Sequence, residues 1–235
     1  MNKSLLIRNL IVLKRNYLQY LAIVMITPMI LYLFNILPYS DGIAKIWSSI
    51  GLWISSCVIC SYIYIYQNIS KYRSNKIFLV TTPISFRNLL FSNVIICVLL
   101  VFFQLIVSYL LTFSLNNVSL SMLDFGLFFV NILPIILLSI SAALLVALFD
   151  NLNIGLFICT LIALSITQFF YLFPSFKSID YDYIPIIGLL LNCASLFNKG
   201  PIQFLPLILM YIISGLCLIV SLIVSAKIIE GKNEK

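Results

Sequence analysis

Residues 88–113 read NLLFSNVIICVLLVFFQLIVSYLLTF. No residue in the run is charged, and the run is longer than the roughly 20 mainly apolar residues that carry a helix across a bilayer. It also far exceeds the alternating ten-residue segments of a membrane barrel. A transmembrane helix is the expected state. Working outward, five more segments qualify, roughly 17–37, 46–66, 125–148, 152–174 and 203–227. The composition agrees. Of 235 residues 63% are hydrophobic and 9% charged, whereas a soluble domain is nearer half apolar and a quarter charged. Such a chain has no surface for water, so the expected fold is an all-α integral membrane protein of six spans.

Basic residues orient these spans. With the N-terminus in the cytoplasm, the inside holds Lys3, Arg8, Lys14, Arg15, Lys71, Arg73, Lys76, Arg87, Lys227, Lys232 and Lys235. The outside holds only Lys45, Lys177 and Lys199. This is the positive-inside pattern, with both termini cytoplasmic. The net charge of +7 is therefore read as anchoring, and no nucleic-acid partner is expected. Nothing in MNKSLLIRNLIVLKR offers a cleavage site, so the first span is expected to be retained.

Three further segments stand out. Residues 1–16 form an imperfect amphipathic helix, with Lys3, Ser4, Arg8, Lys14 and Arg15 on one arc and Leu5, Leu6, Leu10, Val12 and Leu13 on the other. Asn9, Ile7 and Ile11 break the pattern. Such a helix suits the cytoplasmic leaflet. Residues 184–198, IPIIGLLLNCASLFN, are apolar but short. They fit a re-entrant helix, within an extracellular segment 175–202, better than a crossing. The transmembrane domain is thus 17–228, followed by a cytoplasmic tail, 229–235.

The spans lack catalytic equipment. Asp124, Asp150 and Lys227 sit at span ends, and the chain has no histidine. Metalloprotease, Ser–His and buried aspartic-dyad chemistries all need groups that are absent, and no phosphate-cradling glycine loop is present. Proton-coupled transport normally places ionisable groups in the membrane as well. The expectation is a non-enzyme whose driving force comes from a partner, with no metal and no cofactor on this chain. Cys57 and Cys60 form a C-x-x-C inside the second span, where small apolar filler is the expected role. Ser139, Ala143 and Ala147, and likewise Cys217, Ser221 and Ser225, recur every four residues as close-packing faces. Pro28, Pro134 and Pro206 lie in or near spans and are candidate kinks. Ser56, Tyr62, Gln104, Asn131, Thr160, Thr167 and Gln168 are the polar side chains that could line a pathway or bond between helices.

The longest inside loop carries the most information. Residues 66–95 read YQNISKYRSNKIFLVTTPISFRNLLFSNVI. A helical piece, 68–80, runs into Thr81, Thr82 and Pro83, and Pro83 disfavours helix at the residue before it. Ser85 can cap the third span. The coupling segment 67–87 is therefore a short cytoplasmic helix, a turn and a re-entry helix. With IFLVTTPISFRNLLFSNVI at this place, the chain resembles the ABC-2 type family of ABC transporter permeases. The interfacial helix, six spans and re-entrant segment between the fifth and sixth match that layout too.

The resemblance implies a permease of an ATP-driven exporter in a bacterial cytoplasmic membrane. It pairs with a second permease, identical or related, on separate ATPase subunits that bind ATP and Mg. It assigns contact with the ATPase to Lys71, Tyr72, Arg73, Lys76, Ile77, Phe78, Leu79, Thr81, Thr82 and Pro83. The family often carries Glu before the TP turn and this chain has none there, so contact would use basic or apolar groups; positive-inside anchoring is the other reading. An amphipathic peptide, an antibiotic or a similar hydrophobic substrate is expected. The rivals are an ATP-independent carrier or channel and a non-transport assembly subunit.

Overall fold

The computed structural model describes residues 7, 10, 11, 13–36, 42–74, 86–116, 121–147, 157, 161, 165, 185–197 and 202–231. Six extended helices occur among them: α1 Tyr17–Ile36, α2 Gly42–Ser74, α3 Phe86–Asn116, α4 Met122–Val146, α5 Pro185–Phe197 and α6 Phe204–Gly231. The described residues include no strand. Stretches of α2, α3, α4 and α6 are long and apolar enough to cross a membrane. The chain is thus a helical protein of multi-pass membrane type. At 13 residues, α5 is about 20 Å long and too short to cross.

The central rod is α2. It packs against α1, α3 and α4, and nearly every residue from Ile50 to Ile69 is buried. At the periphery, α6 leaves Leu205, Ile208, Ile212, Leu216, Ile219 and Val220 exposed. An exposed apolar face of this kind suits hydrocarbon and not water.

Cross-helix contacts fix the directions. Between α2 and α3, Ser56 meets Ser108 at 3.2 Å, the Cys57 thiol donates to the Val101 carbonyl at 3.9 Å, and the Cys97 thiol donates to the Ser61 carbonyl at 3.7 Å. Rising numbers pair with falling ones, so the two are antiparallel. Between α2 and α4, Trp53 packs on Phe128 and Ser61 bonds to Ser139, so these run the same way. So do α4 and α6, because Tyr211 reaches Val130 and Ser225 reaches Leu144. The chain therefore leaves α4 at one end of the bundle and begins α6 at the other. On α1, Gln19 bonds to Gln67 near the far end of α2, which makes this pair antiparallel.

Within the bundle, hydroxyls act as cross-links. Ser61 lies within bonding range of the Val58 carbonyl, 2.8 Å, and of Ser139, 2.9 Å, while Ser139 donates to the same carbonyl at 3.1 Å. Their spacing matches the close approach that small residues permit. Ala143, Ala147, Ser221 and Ser225 are buried, and Ser225 donates to the Leu144 carbonyl, but Cys217 is exposed.

Proline explains another link. Pro134 lies inside α4 without breaking it. Having no N–H, it leaves the carbonyl four residues earlier, on Val130, without its helical donor. The Tyr211 hydroxyl donates to that oxygen at 2.8 Å. We expect Tyr211→Phe to cost about 1–3 kcal/mol in thermal unfolding. In a Pro134→Ala background the cost should shrink, because the restored N–H satisfies Val130. Equal costs in both backgrounds would rule this pairing out.

The largest boundary difference from the sequence expectation is at the end of α2. The second span was expected to end near 66, with a separate helical piece at 68–80. Instead α2 continues unbroken to Ser74. No Gly or Pro lies between Leu52 and Ser74, and Asn68 turns its amide back to the Tyr64 carbonyl at 2.9 Å, so nothing stops the helix. At the N-terminus, Ile7, Leu10 and Ile11 are helical and exposed with the spacing of one face, while Leu13 packs on the core. Ile7 and Ile11, which broke the expected arc, thus join Leu10 in an outward apolar stripe. The fourth span begins at Met122, with Ser121 as its cap. Ser121 Oγ accepts from the Asp124 N–H at 3.1 Å and donates to the Asp124 carboxylate at 2.6 Å, and this acid suits the helix N-terminus.

Candidate functional site

Two regions stand out, one at an end of the bundle and one inside it. The directions of the helices place the start of α1, the end of α2, the start of α3 and the end of α6 together at one end. The basic positions Lys14, Arg15, Lys71, Arg73, Arg87 and Lys227 all belong to those termini. Of them, Lys14, Arg15, Arg87 and Lys227 are seen to be exposed. The opposite end carries Asp124 and the position of Lys45. Glu230, near the end of α6, is the one acidic position described at this end, so the end is net cationic, as expected for one that faces anionic lipid or an acidic partner.

Of the expected coupling residues, Lys71, Tyr72 and Arg73 form the last turn of α2. Lys76, Ile77, Phe78, Leu79, Thr81, Thr82 and Pro83 lie outside the described residues, as does Ser85. The α3 helix begins at Phe86, which is buried, beside exposed Arg87. The end of α2 and the start of α3 thus flank the 75–85 connection.

The interior region lies where α2 residues 53–57, α3 residues 101–109 and α4 residues 125–131 meet. Trp53 is the largest wholly buried side chain among the described residues. Its ring stands edge-on to Tyr109 at 5.7 Å and to Phe128 at 5.4 Å, a favourable aromatic geometry. Phe102 packs on Phe129 at 4.8 Å, and Tyr109 on Phe125 at 5.3 Å. Ser56 donates to the Trp53 carbonyl at 2.9 Å, and its hydroxyl lies within bonding distance of the Ser108 hydroxyl, 3.2 Å away.

Gln104 belongs to this joint. It is 0% exposed, and neither its Nε2 nor its Oε1 has a hydrogen-bond partner. Asn131 is 1% exposed; its Nδ2 donates to the Leu127 carbonyl at 2.9 Å, but its Oδ1 accepts nothing. Unfilled amide groups in a dry interior are unusual and costly. Tyr62 lies more than a turn further along α2, stacked on Tyr66 at 6.2 Å. The structure therefore brings Ser56 and Gln104 into one joint, places Asn131 on the helix facing it, and leaves Tyr62 apart. Thr160, Thr167 and Gln168 lie outside the described residues, as does most of 152–174. There Phe157, Leu161 and Ser165 are helical, and Ser165 donates to the Leu161 carbonyl at 2.8 Å. Among the described residues no group of His, Cys, Asp or Glu side chains could hold a metal. Cys57 and Cys60 are buried and unpaired as disulfides.

Sequence reasoning missed a third feature. The Asn192 amide on α5 donates to the Gln203 carbonyl at 2.8 Å and accepts from the Gln203 N–H at 2.8 Å. One turn earlier, Gly188 faces Pro206 so closely that an added Cβ would stand 2.5 Å from the proline Cβ. This clasp fixes α5 to the start of α6. Its visible signal was Asn192 itself, the lone amide within a short apolar helix. Family models, curated proteins and solved structures were all compared with the chain, and none matches.

Proposed function

We propose that the chain is the permease subunit of an ATP-driven exporter of the ABC-2 type, set in a bacterial cytoplasmic membrane with both termini in the cytoplasm. It works without a catalytic centre of its own. Two such permeases face each other, each on a nucleotide-binding subunit that holds ATP and Mg. ATP-driven closure of those subunits pushes on the 75–85 connection and tilts α2 and α3. The substrate is an amphipathic peptide, an antibiotic or a similar hydrophobic molecule.

The observation that carries this reading is the basic end of the bundle. There the last turn of α2, with Lys71 and Arg73, and the first turn of α3, with Arg87, flank one connection. Above that connection α2 is cross-linked by buried hydroxyls and thiols to α3 and α4. A rod so held passes a push at its end into its neighbours with little loss, because packed interiors deform poorly. The cationic end is the cytoplasmic one by the positive-inside rule. The shared direction of α4 and α6 supports a return crossing by 152–174 and a re-entrant α5 on the outer side.

Reversing Lys71, Arg73 and Lys76 together to glutamate should weaken association with the ATPase subunit at least tenfold, since close interfacial charge pairs are each worth a kcal/mol or more. Co-purification in stoichiometric amount, with ATP turnover in reconstituted vesicles, checks this. If binding and turnover survive, the basic residues are membrane anchors. If no ATPase accompanies the native protein from its own membranes, the exporter reading is wrong.

A further inference from the structure

Gln104 is the one described polar side chain whose donor and acceptor ends are both wholly enclosed and both unfilled. It lies on the face of α3 that meets α2, between Val101, whose carbonyl receives the Cys57 thiol, and Ser108, which bonds to Ser56. Enclosed among apolar side chains, its two ends can be completed only by a trapped water or by a group that enters the bundle. The chemistry of the missing partner can be read from the group itself. A carboxamide edge presents one donor and one acceptor, and its complement offers one acceptor and one donor on neighbouring atoms.

A carboxylate or phosphate supplies acceptors alone, and the spans around Gln104 contain no lysine, arginine or histidine to neutralise it. A cation would be held by Oε1, but it would leave Nε2 unfilled and meet no carboxylate. An uncharged amide satisfies both ends. Further along α3, Tyr109 packs on Trp53, which packs on Phe128, and this cluster supplies apolar surface for its substituents. We propose that Gln104 is the recognition residue for an uncharged amide, either the N–H and C=O of one extended peptide residue or a primary carboxamide, of a ligand that enters where α2 and α3 part. This rests on the exporter reading in one respect: the cycle would drive α2 and α3 apart, whereas the resting chain reaches the same opening as a minor state, which weakens both probes by the same factor and leaves their ratio unchanged.

The test uses the purified full-length chain in lipid nanodiscs, without ATP. Its probes are a capped, uncharged apolar tripeptide and the analogue in which one N–H is replaced by an ester oxygen. The native chain should bind the amide about tenfold more tightly than the ester, the worth of one well-made hydrogen bond. In Gln104→Leu that preference should fall to about twofold or less. The native chain's own discrimination is independent of how well the variant folds. Equal binding of the two probes to the native chain, failure of both to bind, or a preference kept in Gln104→Leu would each overturn the assignment; failure of both would leave Gln104 to an internal water alone. Loss of the ATPase partner with the amide preference intact would sink only the exporter reading.

Discussion

Replacing Trp53 with alanine should lower the stability of the bundle by about 3 kcal/mol, the lower end for removing a buried aromatic ring. The lower end applies because the alternative surroundings of a membrane helix are lipid tails, and what is lost is packing and not shelter from water. Trp53 is wholly buried at the meeting of three helices, with Tyr109 of α3 on one edge and Phe128 of α4 on another. No neighbour can fill the space without leaving its own contact. For a chain of this size the loss amounts to a fall of about 10 °C in thermal unfolding in detergent. Trp53→Phe keeps one ring and should lose less than half as much. A drop of less than about 1 kcal/mol for alanine would mean that α2, α3 and α4 do not meet at this side chain. The same cavity would let α2 bend where it is now stiff, so any transmission along it should weaken in proportion.

The spans of this fold were legible wherever a long apolar run was bounded by charged or clustered polar residues, as Arg87 and Asn116–Asn117 bound the third. Residues 88–113 are the clearest example, and α3 exceeds them by only two or three residues at each end. The end of α2 was less legible, because Lys71 and Arg73 end the apolar pattern while nothing in the backbone ends the helix. Hydropathy reports where lipid stops; only Gly, Pro or a cap reports where hydrogen bonding stops. Partners of buried polar groups were the least legible. Pro134 announces that the Val130 carbonyl needs a donor, but the donor, Tyr211, lies 81 residues away. Gln104 and Ser56 could be picked from the sequence as polar groups in apolar runs. Whether each was satisfied was not legible, since Ser108 and the Trp53 carbonyl complete Ser56 while Gln104 is completed by nothing on its own helices.

Directions of helices add a constraint that composition cannot provide. Because α4 and α6 run the same way, the chain between them must travel back along the bundle, and α5 covers little of that distance. Its clasp with Gln203 holds it at the level where α6 begins. That is the end opposite the basic termini. If 152–174 crosses as the sequence leads one to expect, a crossing by α5 as well would place α6 antiparallel to α4, against the bonds from Tyr211 to Val130 and from Ser225 to Leu144.

Asn192→Leu should release α5 from the bundle. The substitution removes both bonds of the clasp and leaves the N–H and carbonyl of Gln203 without those partners, a cost of about 2–4 kcal/mol. Leucine keeps the branched shape of asparagine but is bulkier, so overpacking adds to the loss of hydrogen bonding. Gly188→Ala attacks the same joint by a different route, forcing a methyl group against the rigid ring of Pro206, with overpacking worth about 1–3 kcal/mol. Cys193, adjacent to Asn192 and 0% exposed, reports the outcome. In the native chain a membrane-impermeant maleimide should leave it unmodified. In Asn192→Leu, local opening should raise its labelling rate on the order of thirtyfold or more, with a smaller rise in Gly188→Ala, read by mass spectrometry of the Cys193 peptide. Applied to intact cells, the reagent should label the variant from outside, since α5 sits at the end away from the basic termini. Labelling confined to opened cells would put the cationic end outside and reverse the orientation. A thiol that stays silent in both variants under both conditions would mean that the apolar face of α5, and not its amide, holds the helix in place.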